Sequence, residues 1–154
     1  MHFVSYKERE TVSLSNKAVF DDFIHAQNTI YPSVINELSQ GKKRTHWMWF
    51  IFPQLHGLGY SSMAQRFAIQ DLTQAQEYLQ HEVLGRRLLE CAELLFMHSD
   101  KSALQIFGSP DHLKLHSSLT LFALAAGKDS VFEQLLQQFF LGKYDSNTMV
   151  LLEQ

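Results

Sequence analysis

The sequence predicts an all-α fold: one compact domain, a bundle of seven or eight short helices. Three observations carry this. Large apolar residues recur at steps of 4, 3 and 4 in several segments, the spacing of one helix face. Helix-start and helix-stop residues bracket those segments. The one ring-rich run that favours strand, residues 46–52, has no partner strand elsewhere in the chain.

The elements follow in order. Residues 1–16 read as a loose polar leader, and residues 17–154 as the single helical domain. Val19, Phe23, Ala26 and Ile30 mark the first helix. The Tyr31-Pro32 step is expected to break or restart it, because the residue before proline avoids the helical region. Pro32 then opens a second helix that ends before Gly41. Residues 46–52 form a short buried helix stopped by Pro53. A glycine turn covers 57–60, and a helix begins near Ser61. Thr73-x-x-Gln76 reads as a capping box. Leu84, Leu88, Cys91 and Leu95 repeat the 4, 3, 4 spacing. Gly108 stops the helix before it, and Ser109-Pro110 starts the next. That next helix carries Leu115, Leu119, Phe122 and Ala126 and stops at Gly127. Ser130-x-x-Glu133 caps another, and a last short helix covers Ser146–Leu152.

Composition narrows the function classes. Apolar residues at 45% against 19% charged exclude a disordered chain. A formal charge of −3, from 16 acidic and 13 basic residues, gives no support for a nucleic-acid coat protein. Any anion site must be local. The N-terminus lacks the apolar stretch of a secretory signal, and no window approaches a membrane span. The single cysteine, Cys91, excludes an internal disulfide and fits a reducing cytoplasm, which is the expected location. Cys91 itself reads as a small core residue.

Segment 41–69 departs most from ordinary core sequence. It sets Trp47, Trp49, Phe50, Phe52 and Tyr60 beside Lys42, Lys43, Arg44, His46, Gln54 and His56. Rings with a few placed polar groups are the composition of a ligand pocket. Trp47 or Trp49 can stack on a base, and Gln54 can read its edge. The Gly59–Ser62 turn, running into a helix, can cradle an anion with Lys43 folded over it. A second constellation, Asp111, Lys114, Ser117 and Ser118, lies along one helix. There a carboxylate, an ammonium and hydroxyls suit proton transfer or phosphate binding, and His46 and Asp111 are the candidate proton-handling residues. Arg87 and Lys114 would fix ligand charge. His112 and His116 have chelating spacing but no third ligand, so neither a metal nor another cofactor is expected. Each feature also has a plain structural explanation: a serine cap, a ring-filled core, a solvated ion pair.

The run Gly41-x-Lys43-x-Thr45-His46-Trp47-Met48-Trp49-Phe50-Ile51-Phe52-Pro53-Gln54, with Gly57-Leu58-Gly59-x-Ser61, resembles the signature of an uncharacterised bacterial family of small helical proteins. The pieces Leu84-Gly85-x-Arg87-Leu88, Gly108-x-Pro110-Asp111-x-x-Lys114-Leu115-x-Ser117-Ser118 and Phe140-x-Gly142-x-x-Asp145-x-x-Thr148 agree. The likeness covers about residues 17–152. It departs at Glu82, where the family has proline, and at Leu119, where methionine is usual. Members are commonly labelled calpastatin, but calpastatins are disordered and repetitive, and this chain is neither in pattern. Size, helical layout, Leu84-Gly85-Arg86 and the Asp111-x-x-Lys114 helix are also similar to the NADAR superfamily, whose all-α members act on ADP-ribose-like N-glycosides. That likeness implies a nucleotide-derived substrate and an N-glycosidase-like hydrolase. Such cleavage wants a placed carboxylate, which segment 41–69 lacks, so Asp111 or Asp145 must come from elsewhere in the fold. The expectation is a domain that binds, or hydrolyses, a small nucleotide or ADP-ribose-like ligand in an aromatic-lined pocket. The alternative is a non-catalytic helical interaction module, whose protein partner the sequence does not name.

Overall fold

The computed structural model describes the backbone of residues 6–154 and the side chains from residue 16 onward. Among the described residues there are nine helices and no strand. The order is α1 (Tyr6–Gln40), α2 (Met48–Ile51), α3 (Ser62–Arg66), α4 (Leu72–Gln80), α5 (Leu84–Phe96), α6 (Ala103–Phe107), α7 (Asp111–Ala126), α8 (Val131–Phe140) and α9 (Ser146–Leu152). The expected leader at 1–16 overlaps the first turns of α1, and residues 1–5 lie outside the described residues. None of the helices is long and apolar enough to cross a membrane.

The break expected at Tyr31-Pro32 does not occur. α1 runs unbroken through Pro32. Proline costs a helix one hydrogen bond and crowds the carbonyl four residues back. Pro32 lies on the exposed face, where a curving helix opens its carbonyls toward solvent. On the opposite face Phe23, Gln27, Val34 and Leu38 are buried on both sides of the proline, so packing holds the two halves in line. α4 also starts earlier than the Thr73 box implies. Asp71 is its cap, accepting from the Gln74 N–H at 2.8 Å, which sets Leu72, Ala75 and Tyr78 against the core. Pro110 sits at the cap position of α7, one residue before the first helical turn. Ser102 and Gln105 form a reciprocal capping box on α6 that the sequence reading passed over.

The other caps fall where the sequence places them. Ser61 opens α3, Ser130 opens α8, and Gly108 and Gly127 end α6 and α7 with positive φ. α7 is the hub. It packs on α4, α6, α8 and α9, while α5 joins α1, α4 and α8. Gly85 sits where α4 ends against α5, and a Cβ there would fall 2.0 Å from the Leu79 carbonyl oxygen. Cys91 is buried between α5 and α1, its sulfur 3.9 Å from the Tyr31 hydroxyl. Burial pushes its thiol up to about 12.

Candidate functional site

Two neighbouring structures are built from the segment that the sequence singles out. The first is a clamp that ties loop 41–47 to the end of α1. Glu37, one turn before the end of α1, is buried, and its carboxylate gathers that loop. Oε1 accepts from the N–H groups of Arg44 (2.6 Å) and Thr45 (2.9 Å) and from the Trp47 indole (3.0 Å). Oε2 accepts from the Thr45 hydroxyl at 2.7 Å. Burial alone would raise this carboxyl, but the hydrogen bonds more than offset it and hold it below the ordinary value. Lys43 completes the clamp. Its backbone N–H reaches the Ile106 carbonyl. Its side chain, only 6% exposed, donates to the Thr45 carbonyl at 2.6 Å, pairs with Asp111 at 2.8 Å and lies 4.9 Å above the Trp47 ring. A buried ammonium needs this full set of partners.

The second structure is an open cleft of 330 Å³ between the 54–61 loop, the start of α7 and the start of α9. Six of the residues anticipated from sequence line it: Gln54, Gly59, Ser61, Lys114, Ser117 and Asp145. The backbone at Gln54 is held by a parallel bridge in which Ile69 donates to the Gln54 carbonyl and His56 to the Ile69 carbonyl. The Ser117 hydroxyl lies 2.6 Å from Gln54 Oε1 and 3.0 Å from the Lys114 carbonyl. Having one proton, it donates to one of them at a time, and among the described residues the amide nitrogen of Gln54 has no partner. Gly59 lets the loop press on α3, since a Cβ there would lie 2.6 Å from Ala64. Among the described residues, the N–H groups of Gly59, Tyr60 and Ser61 have no protein acceptor. Lys114 is the one cation among the lining residues. It lies 5.0 Å over the half-buried Trp49 ring and 3.6 Å from Asp111. Asp145 caps α9, its Oδ2 taking both the Thr148 N–H (3.0 Å) and hydroxyl (2.6 Å).

Six anticipated residues are not in the lining: Trp47, His46, Arg87, Lys43, Asp111 and Trp49. Trp47 is fully buried in the clamp and offers no face to a ligand. His46 is exposed and contributes nothing to the cleft. Arg87 faces α1, donating to Gln27 and Asn28 and lying over Tyr31. Lys43, expected to close over the glycine turn, is spent on Asp111 and Thr45 instead. Asp111 and Trp49 stand one contact behind the cleft, through Lys114. His112 and His116 bond separate carbonyls, of Gly108 and Lys143. Glu37 is not legible from sequence, because an isolated Glu in a polar helix end carries no signal of burial. Tyr60 is one ring among five in the segment, and only its 86% solvent exposure separates it from the core rings.

Residues 17–152 match the model of DUF1810, described as a protein of unknown function. The chain belongs to the DUF1810 family. A crystal structure of the conserved hypothetical protein Rv1873 from Mycobacterium tuberculosis is similar, at 48% identity and a TM-score of 0.84, covering 87% of this chain and 96% of that one. No curated protein matches the sequence. The family description carries no activity, so function has to be argued from the cleft.

Proposed function

We propose that the cleft binds a small nucleotide-like molecule, with a phosphate toward Lys114 and a ring against Tyr60. One observation carries the reading: polar groups from three separate stretches, Gln54 to Ser61, Lys114 with Ser117, and Asp145, line one hollow beside an unsealed aromatic ring. An ammonium and the free N–H groups of residues 59–61 suit phosphate oxygens. At 330 Å³ the cleft is at the low end of ligand pockets, which span roughly 300–1,000 Å³. It therefore takes a mononucleotide-sized body, and ADP-ribose would extend beyond it. N-glycoside hydrolysis, implied by the NADAR likeness, requires a placed carboxylate, and Asp145 is the one among the lining residues. The calpastatin label suits a disordered inhibitor and finds no support in a packed helical domain.

The test is titration of AMP, ADP-ribose and related nucleotides by calorimetry and tryptophan fluorescence. A phosphate that draws the Lys114 ammonium off Trp49 changes that indole's emission. Dissociation constants on the order of 1–100 μM are expected, weakened about ten-fold in Lys114→Gln. No heat and no quenching across the panel would rule the reading out. The interaction-module reading would then stand, favoured by the exposure of Tyr60 and Leu113 beside the groove.

A further inference from the structure

The charges at the cleft are not matched to one another. Among the described residues Lys114 has one carboxylate within ion-pair distance, Asp111 at 3.6 Å, and Asp111 is held more closely by Lys43 at 2.8 Å. One carboxylate thus answers two ammonium groups, and Lys114 brings the surplus positive charge to the cleft. Asp145 is the opposite case. Among the described residues no Lys or Arg lies within ion-pair distance of it. Its Oδ2 caps α9 through Thr148, while Oδ1 has no donor among the described residues. A helix cap needs an oxygen acceptor and no charge, since Asn and Ser serve as well as Asp. The cap accounts for one oxygen, and the dipole of the short α9 favours the charge, but Oδ1 is left open to a ligand. Tyr60 adds a bare aromatic face to the same cleft, and such faces attract cations.

A ligand that answers all three features is dipolar. We infer that the cleft selects a mononucleotide whose ring is positively charged, with the phosphate on Lys114 and the cationic ring between Tyr60 and Oδ1 of Asp145. This rests on the nucleotide reading above and adds to it the charge of the ring. A ligand that is anionic throughout, such as a nucleoside triphosphate, meets a single surplus cation and is repelled by Asp145.

Nicotinamide mononucleotide supplies the probe, because its oxidised ring is cationic and its reduced ring is neutral in nearly the same shape. Calorimetry on the full chain is expected to give about ten-fold tighter binding of the oxidised form. Asp145→Asn keeps the cap and the melting temperature and removes that preference. Lys114→Gln weakens both forms and keeps the preference. Equal affinity for the two forms in the native protein overturns the inference, as does a preference that survives in Asp145→Asn. If AMP binds while the two forms are not distinguished, only the inference falls. If no nucleotide binds, the cleft's assignment as a nucleotide site falls and takes the inference with it.

Discussion

Loop 41–47 and loop 57–61 look alike in sequence and behave as opposites in the fold. Both combine glycine, an aromatic ring and polar residues. In the first, the polar groups that matter are consumed internally: Glu37 takes four donors, and Lys43 is divided between Asp111 and Thr45. In the second, among the described residues, three backbone N–H groups have no protein acceptor and Tyr60 is open to solvent. Residue type therefore does not separate scaffold from site here. The state of pairing does, because a group already satisfied has little left to give a ligand.

The largest test of that contrast is Glu37→Ala. It strips the acceptor from the buried indole and from loop 41–47, and a loss of about 3–5 kcal/mol is expected in denaturant unfolding. A loss under about 1 kcal/mol would mean the clamp does not hold the loop, and the contrast would collapse. Next comes pH. The Glu37 carboxyl is held below its ordinary value of 4.5 in the folded chain. The native state thus prefers the ionised form, so its contribution is fully present above that value. It fades as pH falls through 4.5 toward the folded pKa. Urea midpoints measured from pH 6 downward are expected to decline more steeply in the native protein than in Glu37→Gln. Parallel curves would show that the carboxylate gains nothing from its donors. The smallest effect on stability belongs to the open loop. Tyr60→Ala is expected to change unfolding by no more than about 0.5 kcal/mol while weakening nucleotide binding about ten-fold. A protein that melts early on this change would show that Tyr60 belongs to the scaffold after all.

Much of the fold was legible. The 4, 3, 4 stripes and the caps at Ser61, Ser130 and Gly127 report local physics, and local physics decides where most helices begin and end. The failures lie where tertiary contacts outvote local preference. Pro32 is carried through by burial on the far face of α1, and α4 starts at the residue that aims Tyr78 inward. The cleft was legible in part for the same reason. Gln54, Ser61 and Lys114 sit at turns and first helical turns, whose placement is local. Which neighbour a helix face meets is not local, so Arg87 turned to α1 and Trp47 to Glu37. Glu37 illustrates the gap best: its role depends on a loop that folds back on it, and nothing around it in sequence announces that loop.

Cys91 gives the chain a stopwatch. A thiol walled off between α1 and α5, and protonated at any physiological pH, does not meet an alkylating reagent while those helices stay docked. Each adduct at that sulfur therefore records an opening of the core around α5. Its labelling rate in the native protein, read by mass, counts those openings without a denaturant.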